Sequence, residues 1–373
     1  MSERQVLNRR RVLGTATAAL ALQTPSLRTL PATEVTHTQT GGQAESTAAS
    51  WSVEDQRPFS GQTRRLKISR HGRFLTALLF PTDYPTHFRL KPELLPLCTP
   101  AGVPVTGSHE YCFIHHQSIM CGHGGVVVQG EDSLADFYRQ LNFSEPSRLD
   151  PFRNGGPKNL FTEGPSGLQR VTKVTWNPID DGVRIDLTLR WETRKFDQAQ
   201  GDVVVHERRR YEIFHWDEAI VVDLDSRLTP AERPVTLRAD RHSLMGVRVH
   251  DLIDVEDGGQ MIDSWGRKNP SGDYWDSQGD RAAPRWVDCT GSIGPSRVGV
   301  CMLSHPMNFR NQFYVREFGL MILSPTLGND LPISLQQPLQ FSTRFVAHDG
   351  DLAPDRAEQW YTHFANSKRF KDL

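Results

Sequence analysis

Val183-Arg-Ile-Asp-Leu-Thr-Leu-Arg-Trp191 alternates apolar and polar side chains without a slip. Successive side chains of an extended chain point to opposite faces. Val183, Ile185, Leu187, Leu189 and Trp191 therefore share one face, and Arg184, Asp186, Thr188 and Arg190 the other. That is a half-buried antiparallel strand, dry on one side and wet on the other. Similar short runs recur at 73–80, 169–176, 203–214, 220–228, 244–249, 298–303, 318–323 and 339–346. Asp180-Asp-Gly182, Asp257-Gly-Gly259 and Asp349-Gly350 punctuate them as turns. Only two helices are expected: one over 131–141, and one over 355–365 with Ala357, Trp360, Tyr361 and Phe364 at helical spacing. Many strands at short intervals, without β-α alternation, predict an all-β fold: a large antiparallel β-sandwich with few short helices. It is expected to form a single domain over 55–373.

Upstream of that body the chain changes character. Asn8-Arg-Arg-Arg-Val-Leu-Gly14 leads into Thr15-Ala-Thr-Ala-Ala-Leu-Ala-Leu22. A basic head followed by a short, weakly apolar core of small residues is the pattern of an export signal. Arg9-Arg10-x-Val12-Leu13 resembles a twin-arginine signal, with cleavage expected after Ala21. Residues 1–22 are therefore read as a signal peptide, and 23–54, rich in Thr, Ala, Gln and Glu, as a disordered linker. The expected location is periplasmic or secreted. The apolar run is about half of what a membrane span requires.

The formal net charge is −1, and no block of like charge occurs, which argues against nucleic acid or an anionic membrane as partner. Five cysteines (Cys98, Cys112, Cys121, Cys289 and Cys301) form no CxxC pair and, being odd in number, predict at least one free thiol.

The densest chemical stretch is Tyr111-Cys-Phe-Ile-His-His-Gln-Ser-Ile-Met-Cys-Gly-His-Gly-Gly125. It carries His115, His116 and His123, each able to act as ligand, acid or base near neutral pH. Any one of them is as readily a hydrogen-bonded strand or loop histidine. Three together, beside glycines that let a ligand approach the backbone, point to a site. As neighbours on a regular strand, His115 and His116 would point to opposite faces, so a shared metal ion needs a bend there.

Other polar clusters follow. Arg208-Arg-Arg210 sits inside a strand pattern and is expected on a solvated edge. Arg238-Ala-Asp-Arg-His242 precedes a strand on which Arg248 is either a hydroxyl or carboxylate clamp or the partner of Asp251 or Asp254. Asp273-Tyr-Trp-Asp276 and Arg285-Trp-Val-Asp-Cys289 set aromatic faces beside carboxylates, a pairing that suits sugars and ordinary cores alike. Ser304-His-Pro-Met-Asn308, with Arg310 and Arg316 beyond, forms a polar loop after a strand.

The order of several segments is familiar. Leu90-Lys-Pro-Glu-Leu-Leu-Pro-Leu-Cys-Thr-Pro-Ala-Gly102, Pro104-Val-Thr106, His115-His116 and His123-Gly124 come first. Pro284-Arg-Trp-Val-Asp288, Ser304-His-Pro-Met-Asn308, Arg316-Glu-Phe-Gly319 and Arg344-Phe-Val-Ala-His-Asp-Gly350 follow. Over roughly residues 65–350 the chain resembles the bacterial family labelled "methane oxygenase PmoA", otherwise a domain of unknown function. Methane oxidation is rejected, because a membrane subunit of that kind needs spans of about 18 or more apolar residues. No such run exists here, and the mean hydropathy is −0.49. The resemblance implies instead a galactose mutarotase-like supersandwich, on whose concave sheet histidines and a carboxylate handle sugars. In the family the double histidine usually reads Asp-His-Pro-His-His-Arg. Here Cys112-Phe113-Ile114 precede it and Gln117 replaces the arginine, so the site has lost three polar groups.

Two functions are expected from these residues. The first is an exported carbohydrate-active enzyme, such as an isomerase, lyase or hydrolase, with His115, His116, His123 and His305 as acid/base candidates. Arg248, Asn308, Asp288 and Arg316 would bind a small-molecule carbohydrate and Trp286 would stack on it, with no metal assigned and no cofactor identified. The second is a non-catalytic sugar-binding or surface protein on the same fold, which the lost Asp-His-Pro half of the motif favours.

Overall fold

In the computed structural model the alternation over 183–191 is part of a strand, Gly182–Arg194. The structure describes residues 50–57, 63–81, 90–107, 115–132, 134–138, 166–194, 201–273, 283–370 and 373. The signal segment, nearly all of the linker, Cys112 and most of the stretch after Asp273 lie outside these residues.

Two sheets dominate. The nine-stranded sheet has the order β1 (Trp51–Gln56), β2 (Thr63–Arg70), β3 (Arg73–Pro81), β4 (Glu93–Leu94), β5 (Ile119–His123), β13 (Ser243–Arg248), β19 (Leu320–Leu323), β18 (Phe313–Arg316) and β15 (Gly272–Asp273). The eight-stranded sheet runs β14 (Gln260–Asp263), β16 (Trp286–Ile293), β17 (Ser296–Ser304), β21 (Leu339–Asp349), β11 (Ala219–Pro230), β10 (Val203–Trp216), β9 (Gly182–Arg194) and β8 (Ser166–Ile179). A small sheet joins β20 (Leu331–Ile333), β12 (Val235–Leu237), β6 (Val126–Val128) and β7 (Leu134–Ala135). Every pairing among these strands is antiparallel. The sheet begins at Trp51, inside the stretch whose composition reads as linker.

The expected faces are observed. Val183, Ile185, Leu187, Leu189 and Trp191 enter a core shared with Ile119, Cys121, Met245, Val247, Met321 and Leu323 of the other large sheet. On β10 the same alternation buries Val205, Glu207, Arg209, Tyr211 and Ile213. The expectation of a solvated edge at Arg208-Arg-Arg210 is thereby corrected. β10 lies between β9 and β11, and only Arg208 is exposed. Arg210 Nε pairs across the strands with Asp186 Oδ1 at 2.7 Å, while Arg209 is buried completely.

Arg209 and Glu207 form an ion pair between the sheets. Arg209 Nε and Nη2 donate to the two carboxylate oxygens of Glu207 at 2.7 and 2.8 Å. The same carboxylate accepts from Trp191 Nε1 and Ser226 Oγ, each at 2.7 Å. Arg209 Nη2 also donates to Gln169 Oε1 at 2.8 Å, and Gln169 Nε2 reaches across the core to the Cys121 carbonyl on β5 at 2.8 Å. A buried charge is tolerable only when its hydrogen-bonding capacity is met in this way.

The C-terminal helix forms as expected, α1 at Pro354–Ala365, with Pro354 in its first turn and Ala357, Trp360 and Phe364 buried. It covers the outer face of the eight-stranded sheet, packing on Val221, Trp286, Leu303 and Val346. The other expected helix does not hold where the structure describes it. Leu134–Ala135 extends the small sheet against β6, because the apolar run 126–128 offers a strand edge that outweighs weak helical spacing. No described helix is long and apolar enough to cross a membrane.

The buried pair sets a stability prediction. Arg209→Met leaves the Glu207 carboxylate uncompensated and should lower the unfolding free energy by about 3–5 kcal/mol. Adding Glu207→Leu should recover most of that loss, read as urea-unfolding midpoints of the single and double variants.

Candidate functional site

The outer face of the nine-stranded sheet carries the densest group of titratable side chains. Alternation on β5, β13, β18 and β19 sends Ile119, Val247, Val315 and Met321 into the shared core. It leaves Met120, Tyr314, Leu320 and Ile322 on the opposite face, packed with Tyr138 and Phe318. His115 and His116 approach this face from the turn before β5, so the strand rule that would part them does not apply, and their ring centroids lie 4.3 Å apart.

A ring network continues from them. His116 lies 5.9 Å from Tyr138, stacks on Phe318 at 6.0 Å and faces His242 at 6.2 Å. His242 contacts Tyr138 at 5.5 Å and Tyr314 at 5.3 Å. The guanidiniums of Arg248 and Arg316 lie over Phe318 at 5.7 and 5.3 Å. Arg316 Nη1 donates to the Tyr314 hydroxyl at 3.3 Å.

Beneath the rings sits a buried pair, Lys91 and Glu93, with Nζ 3.3 Å from Oε1. Lys91 also donates to the main-chain carbonyls of Tyr138, at 2.8 Å, and His115, at 3.1 Å. One ammonium thus ties together the two segments that present the rings. His242 Nδ1 lies 3.3 Å from Asp240 Oδ1, a carboxylate that also accepts from the His242 backbone N–H at 2.9 Å. Burial pushes the His116 pKa well below 6.5, and the nearby His115 and His242 rings and the Lys91 and Arg248 cations add to the effect. Its imidazole is neutral at pH 7 and able to accept a proton or a hydrogen bond.

Of the nine residues expected from sequence, the structure brings four together here: His115, His116, Arg248 and Arg316. Arg248 is also ion-paired, with Nη2 at 2.5 Å from Asp251 and Nη1 at 3.6 Å from Asp254. His123 is buried within the sheet, its Nδ1 2.9 Å from Ser243 Oγ, and has no ring contact with the group.

The other four lie on the far outer face, beneath or beside α1 and separated from the cluster by the shared core. The Trp286 ring is buried and its Nε1 donates to Glu358 Oε1 at 2.8 Å, so it offers no stacking platform. Asp288 Oδ1 meets His348 Nε2 at 3.0 Å, and Oδ2 accepts from Thr290 Oγ1 at 2.5 Å. His305 meets the Phe364 ring edge-on at 4.9 Å, and burial lowers its pKa. Asn308 pairs through its amide with both backbone groups of Ser342, each at 2.8 Å.

His242, Tyr138, Tyr314, Lys91 and Glu93 were missed as site residues. Their signals were present, since Leu90-Lys-Pro-Glu93 and Arg238-Ala-Asp-Arg-His242 are both conspicuous polar segments. Nothing local says that strands so far apart in sequence share one face. Among the described residues no group of three His, Cys, Asp or Glu side chains is placed to hold a metal ion, and the four described cysteines are free and buried.

The sheets and this ring cluster define an antiparallel all-β sandwich protein with a histidine-rich outer face. The chain belongs to the family described as a family of unknown function (DUF6807), whose profile matches residues 65–362; that description carries no methane oxygenase label. No curated protein sequence matches the chain. Among solved structures it is similar to a galactose mutarotase-like protein from Clostridium acetobutylicum, at 6% identity and a TM-score of 0.38, over 82% of this chain and 100% of that one. It is also similar to a polysaccharide lyase, at 10% identity and a TM-score of 0.31, over 83% of this chain and 34% of that one. A putative mutarotase from Salmonella typhimurium aligns at 9% identity and a TM-score of 0.27, over 80% and 97%. Scores and identities this low carry nothing about substrate or reaction.

Two buried histidines predict a pH dependence of stability. Burial pushes His123 down to about 4 against the opposing pull of Asp240. Such a histidine stays neutral in the folded chain while the unfolded chain takes up its proton below about pH 6.5. Its stabilisation is therefore complete above pH 6.5 and is lost as the pH falls to about 4, a change of about 3 kcal/mol. His116 acts in the same direction. Unfolding free energies measured from pH 7 to 4 should fall more steeply in the native chain than in His123→Gln.

Proposed function

We propose that the outer face of the nine-stranded sheet binds a carbohydrate and carries out acid/base chemistry at a sugar carbon, in a protein that is exported. The observation that carries this reading is the pairing of two unlike imidazoles 6.2 Å apart. His116 is held neutral by burial, so its imidazole can accept a hydrogen bond from a substrate O–H. His242 is oriented through Nδ1 by the Asp240 carboxylate, which leaves Nε2 as its acid/base atom. Tyr138 and Tyr314 add hydroxyls on apolar rings, and Arg316 adds a donor fork, the combination that suits a polyhydroxylated ring. Arg9-Arg10 and the apolar run after it support export.

This reading moves the acid/base role from His123 and His305 to His242, with His115 in ring contact with His116. It keeps Arg248 and Arg316 as ligand-facing groups and leaves Trp286, Asp288 and Asn308 as parts of the fold.

A melting-temperature screen against neutral sugars, keto-sugars and sugar acids tests it. A ligand that binds the folded state raises the melting temperature by mass action. A sugar should raise it in the native chain and lose that effect in His116→Ala and His242→Ala, while His305→Ala keeps it. Proton exchange or isomerisation of the same sugar, followed by NMR, should also disappear in the first two variants. Binding without turnover would leave a sugar-binding protein, and no shift from any sugar would overturn the reading.

A further inference from the structure

Among the described residues the carboxylates around the cluster are largely engaged: Glu93 serves Lys91, Asp240 serves His242, Asp251 and Asp254 serve Arg248, Glu317 serves Arg316, and Asp136 accepts from the Tyr138 backbone N–H. Arg248 is 1% exposed. Its Nη2 donates to Asp251 and its Nη1 to the Val249 carbonyl, yet its Nε, also buried, has no acceptor among the described residues. A buried N–H without an acceptor marks the place of a missing partner. The guanidinium lies over Phe318, the ring on which His116 stacks, so the missing acceptor belongs beside the acid/base pair. Nearer the surface, Arg316 and Arg241 lie over Phe318 and Tyr314 at 5.3 and 5.6 Å.

A neutral sugar fits these donors poorly. Every hydroxyl that accepts from an arginine brings an O–H of its own that needs an acceptor, and the described carboxylates here are already engaged. A carboxylate brings acceptors alone and meets a guanidinium with charge-assisted hydrogen bonds. The cations around His116, which disfavour its protonation, favour a negative ligand for the same reason.

We infer, on the carbohydrate reading above, that the ligand of this face is an acidic sugar, a hexuronate or aldonate, whose carboxylate takes the Nε of Arg248 beside His116. Arg316 and Arg241 guide the charged end inward, and the ring hydroxyls lie against Tyr138 and Tyr314.

Titration calorimetry of the full chain at pH 7 with galacturonate, glucuronate, gluconate, galactose and glucose tests this. At least one acid should bind about tenfold more tightly than the neutral sugars. Arg248→Lys, which keeps the charge and removes the planar fork, should cut that preference to about threefold or less. Arg316→Gln, at a half-exposed position, should weaken the acids more than the neutral sugars, and it serves as the test if Arg248→Lys does not fold. Binding of a neutral sugar with no acid bound more tightly than it would overturn the acidic-sugar inference and leave the carbohydrate reading standing. Absence of binding by all five would overturn both.

Discussion

The rest of the sandwich depends on how one buried ion pair is satisfied. Glu207 and Arg209 are separated by a single residue on β10, so both point into the space between the large sheets, where a lone charge would be costly. Strands on both sides contribute to the solution. Trp191 and Ser226 flank the carboxylate from β9 and β11, and Gln169 of β8 links the guanidinium to the β5 carbonyl of Cys121. Meeting every donor and acceptor demands one register of five strands and one separation of the sheets. Apolar packing supplies the driving force for the core, and the polar network specifies its alignment.

That alignment has a consequence one strand away. Cys121, whose carbonyl closes the network, lies only a few residues along the chain after the His115–His116 turn. On the opposite face of the same strand Met120 underlies the ring cluster. Lys91 provides the second anchor, binding the main chain at both His115 and Tyr138. The rings of the cluster thus stand on a rigid sheet and a buried ammonium, the kind of support that holds reacting groups in a fixed geometry.

The two outer faces of the sandwich have diverged in use. Over the eight-stranded sheet, α1 seals an apolar patch, and several polar groups beneath it are bound to one another: Asp288 to His348, Asn308 to Ser342, Arg344 to Asp223. A group with all its partners inside the fold has none to spare for a ligand. The nine-stranded sheet's cluster gathers aromatic and imidazole rings with the guanidiniums of Arg248 and Arg316, the Arg248 Nε has no acceptor among the described residues, and no described α-helix covers them as α1 covers His305.

Strand identity and inward faces were legible in the sequence, because a period of two is a local property. Val183 to Trp191 could be assigned a dry side before any partner was known, and α1 was read from Ala357, Trp360 and Phe364 in the same way. The 115–116 pair and the Arg248 and Arg316 positions were also visible as polar residues in apolar surroundings. Which strand is an edge, and which polar clusters meet, was not. Arg209 reads as solvated in a run of three arginines, and only its place between β9 and β11 buries it. His305 and Trp286 read as equals of His116, and only the covering helix removes them from the site. His242 joins His116 from more than a hundred residues away because β13 lies beside β5. Local alternation determines what each strand can bury; sheet order, a property of the whole chain, decides which side chains share a face.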